Sequence, residues 1–170
     1  YLDAVGPYLD VIELPGDDYA AQHPLISPRF FDKYYKPAWQ RMIRLVRQAA
    51  PQCKILFHSD GNMVPLLPAL VDLGIDIFHC LEPLPEVDMQ AVKDRFGDAL
   101  CFWGAIDLKT SLREDVAAVE AEVRERLRVL APGGGYVVAP ANHVQPDVPA
   151  ANLVALYRLA RELGTYPISV

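Results

Sequence analysis

Residues 54–62 read KILFHSDGN, a short apolar run that leads into a cluster of polar side chains. The run is apolar at three successive positions, Ile55, Leu56 and Phe57, which is typical of a strand buried on both faces of a sheet. Four further runs of this kind recur along the chain, and a helical pattern follows each of the five. The sequence therefore predicts strands near residues 10–14, 54–59, 75–80, 100–104 and 135–139.

Helices with characteristic ends separate these strands. Ser27 and Pro28 are typical of a helix start, and Pro37 is expected to break or kink the helix that follows. Ser111 and Glu114 indicate a capping box at the start of a long amphipathic helix. The predicted helices lie near residues 28–49, 64–73, 88–96, 111–130 and 150–163.

Strict alternation of strands and helices implies a parallel sheet within an α/β fold. Two architectures fit this order, an open doubly wound sheet and part of a closed barrel. No glycine-rich GxGxxG turn follows the first strand, so the sequence does not indicate a dinucleotide cradle. No linker or low-complexity tract interrupts the order, and we expect residues 1–170 to form a single domain.

The composition argues against several classes of function. The 170 residues carry a net charge of −6, whereas nucleic-acid binding needs a basic surface. No apolar run approaches the ~18 residues that span a bilayer, so we expect no membrane segment. The three cysteines are well separated and form no CxxC pair, which fits a reducing compartment, and we expect a cytoplasmic protein.

Polar side chains follow every predicted strand. The carboxyl ends of parallel strands meet at one edge of the sheet, and in α/β barrels that edge is the active-site face. We therefore expect a functional site there, with His143 as the best acid or base because it lies in an irregular loop flanked by prolines. The polar residues at these strand ends are Asp17, Asp18, His58, Asp60, Asn62, Glu82, Asp107, Asn142 and His143.

Structural roles compete with these functional ones. An equally good interpretation of Asp60 is the N-cap of the helix over residues 63–73. His79 lies inside an apolar run and is interpreted as a buried, hydrogen-bonded histidine. Cys80 and Cys101 are interpreted as core residues, because free cysteine behaves as a small apolar side chain.

Several short motifs carry a resemblance to a known family. They are GDDY at 16–19, PLISP at 24–28, HSDGN at 58–62, LEP at 81–83, and APANHVQPD at 139–147 followed by GTYP at 164–167. In order and spacing they resemble the uroporphyrinogen decarboxylase superfamily over nearly the whole chain. The resemblance implies a TIM (β/α)8 barrel, of which this chain supplies the C-terminal portion, about strands four to eight.

The superfamily implies two chemistries. Its decarboxylases remove carboxyl groups from a tetrapyrrole without a cofactor, whereas its methyltransferases use zinc to activate a thiol and take a methyl group from a corrinoid protein. The methyltransferases carry a His-x-Cys pair at the position of His58 and Asp60, and a second cysteine near Asn142. Here Asp60 and Asn142 replace both cysteines. The decarboxylases carry a histidine at the position of Asn142, so this chain matches neither pattern fully.

Three functional hypotheses follow from the resemblance. The first is methyl transfer between a small methylated substrate or thiol and a corrinoid protein, with zinc as a possible cofactor. The second is decarboxylation of a tetrapyrrole, and the third is a non-catalytic binding module on the same fold. The expected roles are catalysis by His143, Asp60, Glu82 and Asp107, substrate binding by Asp17, Asp18, Asn62 and Asn142, and metal binding by His58, Asp60 and His143.

Two expectations concern the arrangement of this site. We expect His58, Asp60, Glu82, Asp107 and His143 to open onto one shared cavity. Because both thiolates of the related methyltransferases are replaced, we expect the chain to purify without stoichiometric metal. Half a barrel exposes sheet edges, so we also expect it to be inactive alone and to need an N-terminal half or a second copy as partner.

Overall fold

The computed structural model describes residues 2–15 and 19–170, and its centre is a parallel sheet with the strand order β1-β2-β3-β4-β5. The strands are β1 (Val11–Pro15), β2 (Lys54–His58), β3 (Ile77–His79), β4 (Cys101–Ile106) and β5 (Tyr136–Pro140). All four neighbouring pairs are parallel, which confirms the prediction from the alternating pattern. Every strand except β2 begins one or two residues later than predicted.

Helices connect consecutive strands in the expected order. They are α1 (Leu2–Val5), α2 (Pro28–Phe30), α3 (Lys36–Ala49), α4 (Leu67–Leu73), α5 (Met89–Phe96), α6 (Val116–Leu130) and α7 (Ala150–Leu163). Short 3-10 turns cover Gly6–Tyr8, Val64–Leu66 and Ser111–Arg113. None of the helices in the described residues combines the length and the apolarity needed to cross a bilayer.

The start of the first long helical region differs from the prediction at one proline. Ser27 caps the helix as expected, since its Oγ accepts a hydrogen bond from the Phe30 amide at 3.1 Å. Pro37 does not break the helix. A wide π-helical segment, Phe31–Tyr35, joins α2 to α3, and Pro37 lies in the first turn of α3. Proline is tolerated at that position because it needs no intrahelical amide donor.

The predicted capping box at the start of the long helix is wrong. Helix α6 begins at Val116, and its N-cap is Asp115, whose carboxylate accepts from the Ala118 amide at 2.9 Å. Ser111 lies in a 3-10 turn before the helix and bonds to Glu122 instead. An aspartate at the helix start is as good a cap as serine, so the helix starts four residues later.

The two faces of the sheet have different surroundings. Successive side chains of a strand point to opposite faces, and on one face Phe57, Phe78 and Phe102 are completely or almost completely buried against the helices. Phe57 contacts two aromatic rings, Tyr19 at 6.1 Å and Trp39 at 5.0 Å between centroids. The other face carries the polar side chains of the site described below.

Loss of the Phe57 ring should therefore destabilise the fold. Phe57→Ala removes a side chain with 0% exposure, and we expect it to lower the free energy of unfolding by about 3–5 kcal/mol. The control is Val154→Ala, which truncates a side chain with 68% exposure and should change this free energy by less than about 0.5 kcal/mol. Urea unfolding measures both, and equal losses would contradict the assignment of Phe57 to the core.

Candidate functional site

Asp60 connects the ends of three strands. Its Oδ1 accepts a hydrogen bond from the Cys80 thiol at 3.2 Å and lies 3.6 Å from Nε2 of His58. Its Oδ2 accepts a hydrogen bond from the Asn142 amide at 2.7 Å. Asp60 is therefore not the N-cap of the following helix. That turn is served by Asn62, whose Oδ1 accepts from the Val64 amide at 3.2 Å.

His58 and His79 form a hydrogen-bonded pair. They lie opposite each other in the β2–β3 ladder, and their Nδ1 atoms are 2.7 Å apart, so one ring donates and the other accepts. His79 is half-buried and also meets the edge of the Trp103 ring, at 6.2 Å between centroids. The predicted hydrogen bond of His79 is confirmed, with a residue of the site as its partner, but the side chain is half-buried and not buried as expected.

Burial sets the protonation states of two side chains here. Burial lowers the pKa of His79, and a charge on the adjacent His58 would lower it further, so the His79 imidazole favours its neutral form. Burial also raises the pKa of the Cys80 thiol, and the nearby Asp60 carboxylate raises it further. Cys80 is therefore a thiol that donates to Asp60 as long as no cation is nearby.

Cys80, not His143, joins His58 and Asp60 in the group that could hold a metal ion. One donor atom from each of these three side chains lies within 4.8 Å of the other two. Cys80 is buried with 0% exposure, as expected of a core residue, and its thiol also donates to Asp60. Although it is buried, it follows β3 directly and so emerges at the same edge as Asp60. Its neighbour His79 at the strand end was the sequence signal that could have identified it.

Two of the three distances in this group are close to those of a tetrahedral metal site, and the donor atoms of His58 and Cys80 lie within 4.8 Å of each other. In a zinc site with bonds of about 2.0 Å to N and O and about 2.3 Å to S, neighbouring ligand atoms lie about 3.3–3.5 Å apart. The observed separations from Asp60 Oδ1 are 3.6 Å to His58 Nε2 and 3.2 Å to Cys80 Sγ. Imidazole, carboxylate and thiolate are all established zinc ligands, and three of them leave one position open.

The acids Asp60, Glu82 and Asp107 share a cavity of about 260 Å³ with Lys109 and Asn142. Glu82 bridges two loops, because its Oε1 accepts from the Lys109 ammonium at 2.5 Å and its Oε2 accepts from the Gly61 amide at 2.9 Å. The three predicted acids therefore lie together, and the lysine beside them was not predicted.

Glu122 fixes the loop that carries Asp107, and the sequence did not reveal it. Its carboxylate accepts from the Asp107 amide at 3.1 Å, accepts from the Ser111 hydroxyl and pairs with Arg126 at 3.0 Å. Glu122 lies on α6, and a charge at mid-helix is ordinarily interpreted as solvated. Only the tertiary structure shows that its carboxylate lies beneath the β4 loop.

A second cavity, of about 250 Å³, opens on the other side of His58. It is lined by Glu13, Leu56, His58, His79, Trp103 and His143. The five residues expected to share one cavity thus divide between two. Asp60, Glu82 and Asp107 line the first cavity, whereas His58 and His143 line the second. Glu13 and Trp103 were not predicted.

Two of the predicted substrate-binding residues, Asp17 and Asp18, lie outside the described residues. His143 is exposed, and its backbone amide donates to Oδ1 of Asn142 at 2.5 Å. Asn142 therefore uses its amide nitrogen on Asp60 and its oxygen on its own loop, which ties the β5 loop to the end of β2.

Comparison with known proteins assigns the family. The sequence model described as uroporphyrinogen decarboxylase (URO-D) matches residues 16–163, most of the chain. The chain belongs to the URO-D family. This confirms the resemblance inferred from the motifs. None of the curated proteins compared with the chain matches it.

A solved structure shows how much of a longer chain this sequence spans. A methyltransferase from Methanosarcina mazei superposes with a TM-score of 0.73 at 25% sequence identity, and the match covers 92% of this chain. It covers 43% of the methyltransferase, so this chain spans less than half the length of that protein. The parallel sheet with its alternating helices is therefore an α/β fold that forms part of a TIM barrel, as expected.

The lowered pKa of His79 predicts a pH dependence of stability. Between the folded-state pKa and the ordinary histidine value of about 6.5, the unfolded chain binds a proton that the folded chain does not. The contribution of His79 to the free energy of unfolding is thus complete above about pH 6.5 and is lost as the pH falls through this window, by at most about 1.4 kcal/mol per pH unit.

Urea unfolding at several pH values, with a chelator present, measures this effect. We expect the fall of stability with falling pH to be shallower in His79→Gln than in the wild type. The matched control is His23→Gln, which changes an exposed histidine and should keep the wild-type slope. Identical slopes in wild type and His79→Gln would show that His79 titrates normally in the folded protein.

Proposed function

We propose that this chain carries the metal site of a methyltransferase that moves a methyl group between a small methylated substrate or thiol and a corrinoid protein. The observation that supports the proposal is the convergence of His58, Asp60 and Cys80 at the ends of β2 and β3. In the methyltransferases that the chain resembles, the zinc ligands His and Cys occupy the positions of His58 and Asp60. The solved methyltransferase from Methanosarcina mazei has the same fold over this segment.

Each side chain would have a distinct task in holding zinc. His58 Nε2, Asp60 Oδ1 and Cys80 Sγ would bind the ion, which as a Lewis acid would activate a thiol or polarise a substrate in the open position. Binding through Nε2 requires the proton of His58 on Nδ1, and the Nδ1 of His79 accepts it at 2.7 Å. Asn142 holds the second oxygen of Asp60 and so orients the first.

The charges in the cavity shared by Asp60, Glu82 and Asp107 favour methyl transfer over decarboxylation of a polycarboxylate. Among the described residues that line it, Asp60, Glu82 and Asp107 oppose the single cation Lys109. Lys109 is already paired with Glu82 at 2.5 Å, so it is not free to bind a substrate carboxylate. A polyanionic tetrapyrrole would meet repulsion at this edge of the sheet.

The metal site can be tested on the purified chain. The sequence alone led us to expect no stoichiometric metal, but Cys80 supplies a third donor, and we now expect about one zinc per chain by elemental analysis. His58→Ala, Asp60→Ala and Cys80→Ser should each lower zinc affinity by more than about 100-fold. Asn142→Ala, which removes only the orienting amide, should lower it by about 10–100-fold.

Cys101→Ser is the matched control, because Cys101 lies at the opposite end of the sheet and should leave zinc affinity unchanged. Substitution by Co²⁺ adds a direct readout, since a thiolate–metal absorption band should be present in the wild type and absent in Cys80→Ser. Equal zinc affinity in the wild type and Cys80→Ser would exclude Cys80 as a ligand.

Methyl transfer itself can be measured with methylcobalamin as donor and a small thiol as acceptor. Combined with an N-terminal half that completes the barrel, zinc-loaded wild type should demethylate methylcobalamin faster than Cys80→Ser or His58→Ala, because only the wild type would activate the thiol. Equal rates in all three proteins would contradict the proposed activity but would not contradict the proposed metal site.

A further inference from the structure

The cavity beside the histidine pair contains an unpaired carboxylate. Glu13 lies on β1 and is exposed to the cavity, and within residues 2–15 and 19–170 its carboxylate has no hydrogen bond and no ion pair. None of the described residues that line this cavity is lysine or arginine, and its other titratable groups are the three histidines His58, His79 and His143. A carboxylate without a lysine or arginine partner, in a concave site, attracts a cation from solution.

An indole ring forms the opposite wall. Trp103 lies on β4, two strands beyond His58 in the ladder, and it lines the same cavity in a half-buried position. Its ring is held in edge contact with His79 at an interplanar angle of 78°. Tryptophan is the best aromatic partner of organic cations, and it favours those that are weakly hydrated. Leu56 adds apolar surface between the two walls.

A carboxylate, an indole ring and an apolar side chain in one cavity favour one chemical class of ligand. A metal or alkali ion keeps a tight hydration shell and gains little from an indole face or a leucine side chain. The diffuse positive charge of an N-methylated ammonium ion would be attracted by the Glu13 carboxylate and by the Trp103 ring. Its methyl groups would pack against the Leu56 side chain. The cavity volume of about 250 Å³ suits a small molecule of this kind.

We propose that this cavity binds a small N-methylated ammonium ion. His58 separates the cavity from Asp60 and Cys80, so a cation held by Glu13 and Trp103 would lie next to the metal ligands. The inference deepens the proposed function, on which it rests for its catalytic meaning, because it names the class of the methylated substrate. Binding of the cation itself needs neither metal nor partner.

Calorimetric titration with choline and with its neutral isostere 3,3-dimethyl-1-butanol tests the site. The two probes have nearly the same shape and differ in charge, so we expect choline to bind at least about tenfold more tightly. Sodium chloride at the same ionic strength should not compete with choline beyond ordinary screening. Equal affinity for the two probes, or no binding of choline, would overturn the proposal.

Variants separate the two walls of the site. Glu13→Gln and Trp103→Leu should each weaken choline binding by about five- to thirtyfold, whereas Trp103→Phe, which keeps an aromatic face, should retain part of the affinity. Glu162→Gln removes one charge from an exposed position on α7 and should have no effect. An unchanged affinity in both Glu13→Gln and Trp103→Leu would also overturn the proposal.

The same proteins distinguish this inference from the proposed function. Their zinc content is measured in parallel, and neither Glu13→Gln nor Trp103→Leu should lose zinc. A preference for choline in a protein that holds no zinc would support the cation site and contradict the metal site. Zinc binding without any preference for choline would contradict the cation site alone.

Discussion

Parallel pairing of β2 with β3 in a single register creates both the core and the site. The ladder places Phe57 opposite Phe78 and His58 opposite His79. A shift of one residue would turn every side chain of a strand to the other face of the sheet. It would expose two almost completely buried phenylalanines and drive two imidazoles into the helix layer. Burial of the phenylalanines therefore also holds the histidines in position, because the apolar contacts strongly disfavour every neighbouring register.

The turn that follows β2 then places the polar side chains of the site. Directly after β2 the chain turns at Gly61, where φ is +76° and a Cβ would lie 2.4 Å from the backbone oxygen of Ala21. Only glycine combines that conformation with so close an approach. The turn presents the Gly61 amide to Glu82 and leaves Asp60 directed toward Cys80. Asp60 and Glu82 thereby connect the loops after β2, β3, β4 and β5.

The sequence was informative where one pattern had one physical meaning. Continuous apolar runs predicted the parallel strands, since only strands covered on both faces need them. Polar residues after the strands identified the correct edge of the sheet. Side-chain direction could not be obtained in this way, so the contact of the Cys80 thiol with Asp60 was missed and the site was expected to be one cavity. Glu122 was missed because its role is a contact between residues 107 and 122 that no local pattern records.

The proposed ligand set also has a consistent electrostatic explanation. The methyltransferases that this chain resembles hold zinc with one neutral histidine and two cysteine thiolates, a set with two negative charges. His58, Asp60 and Cys80 provide the same charge once the thiol is deprotonated, with a carboxylate in place of one sulfur. In the proposed site an aspartate at position 60 would conserve the neutralisation of a divalent ion, and the thiolate would come from the end of β3 instead of the end of β5. Asn142, where the resembled methyltransferases carry their second cysteine, donates to Asp60. The site would be harder than its relatives but equally charged, and with one sulfur its affinity for zinc would depend more strongly on the orientation of Asp60.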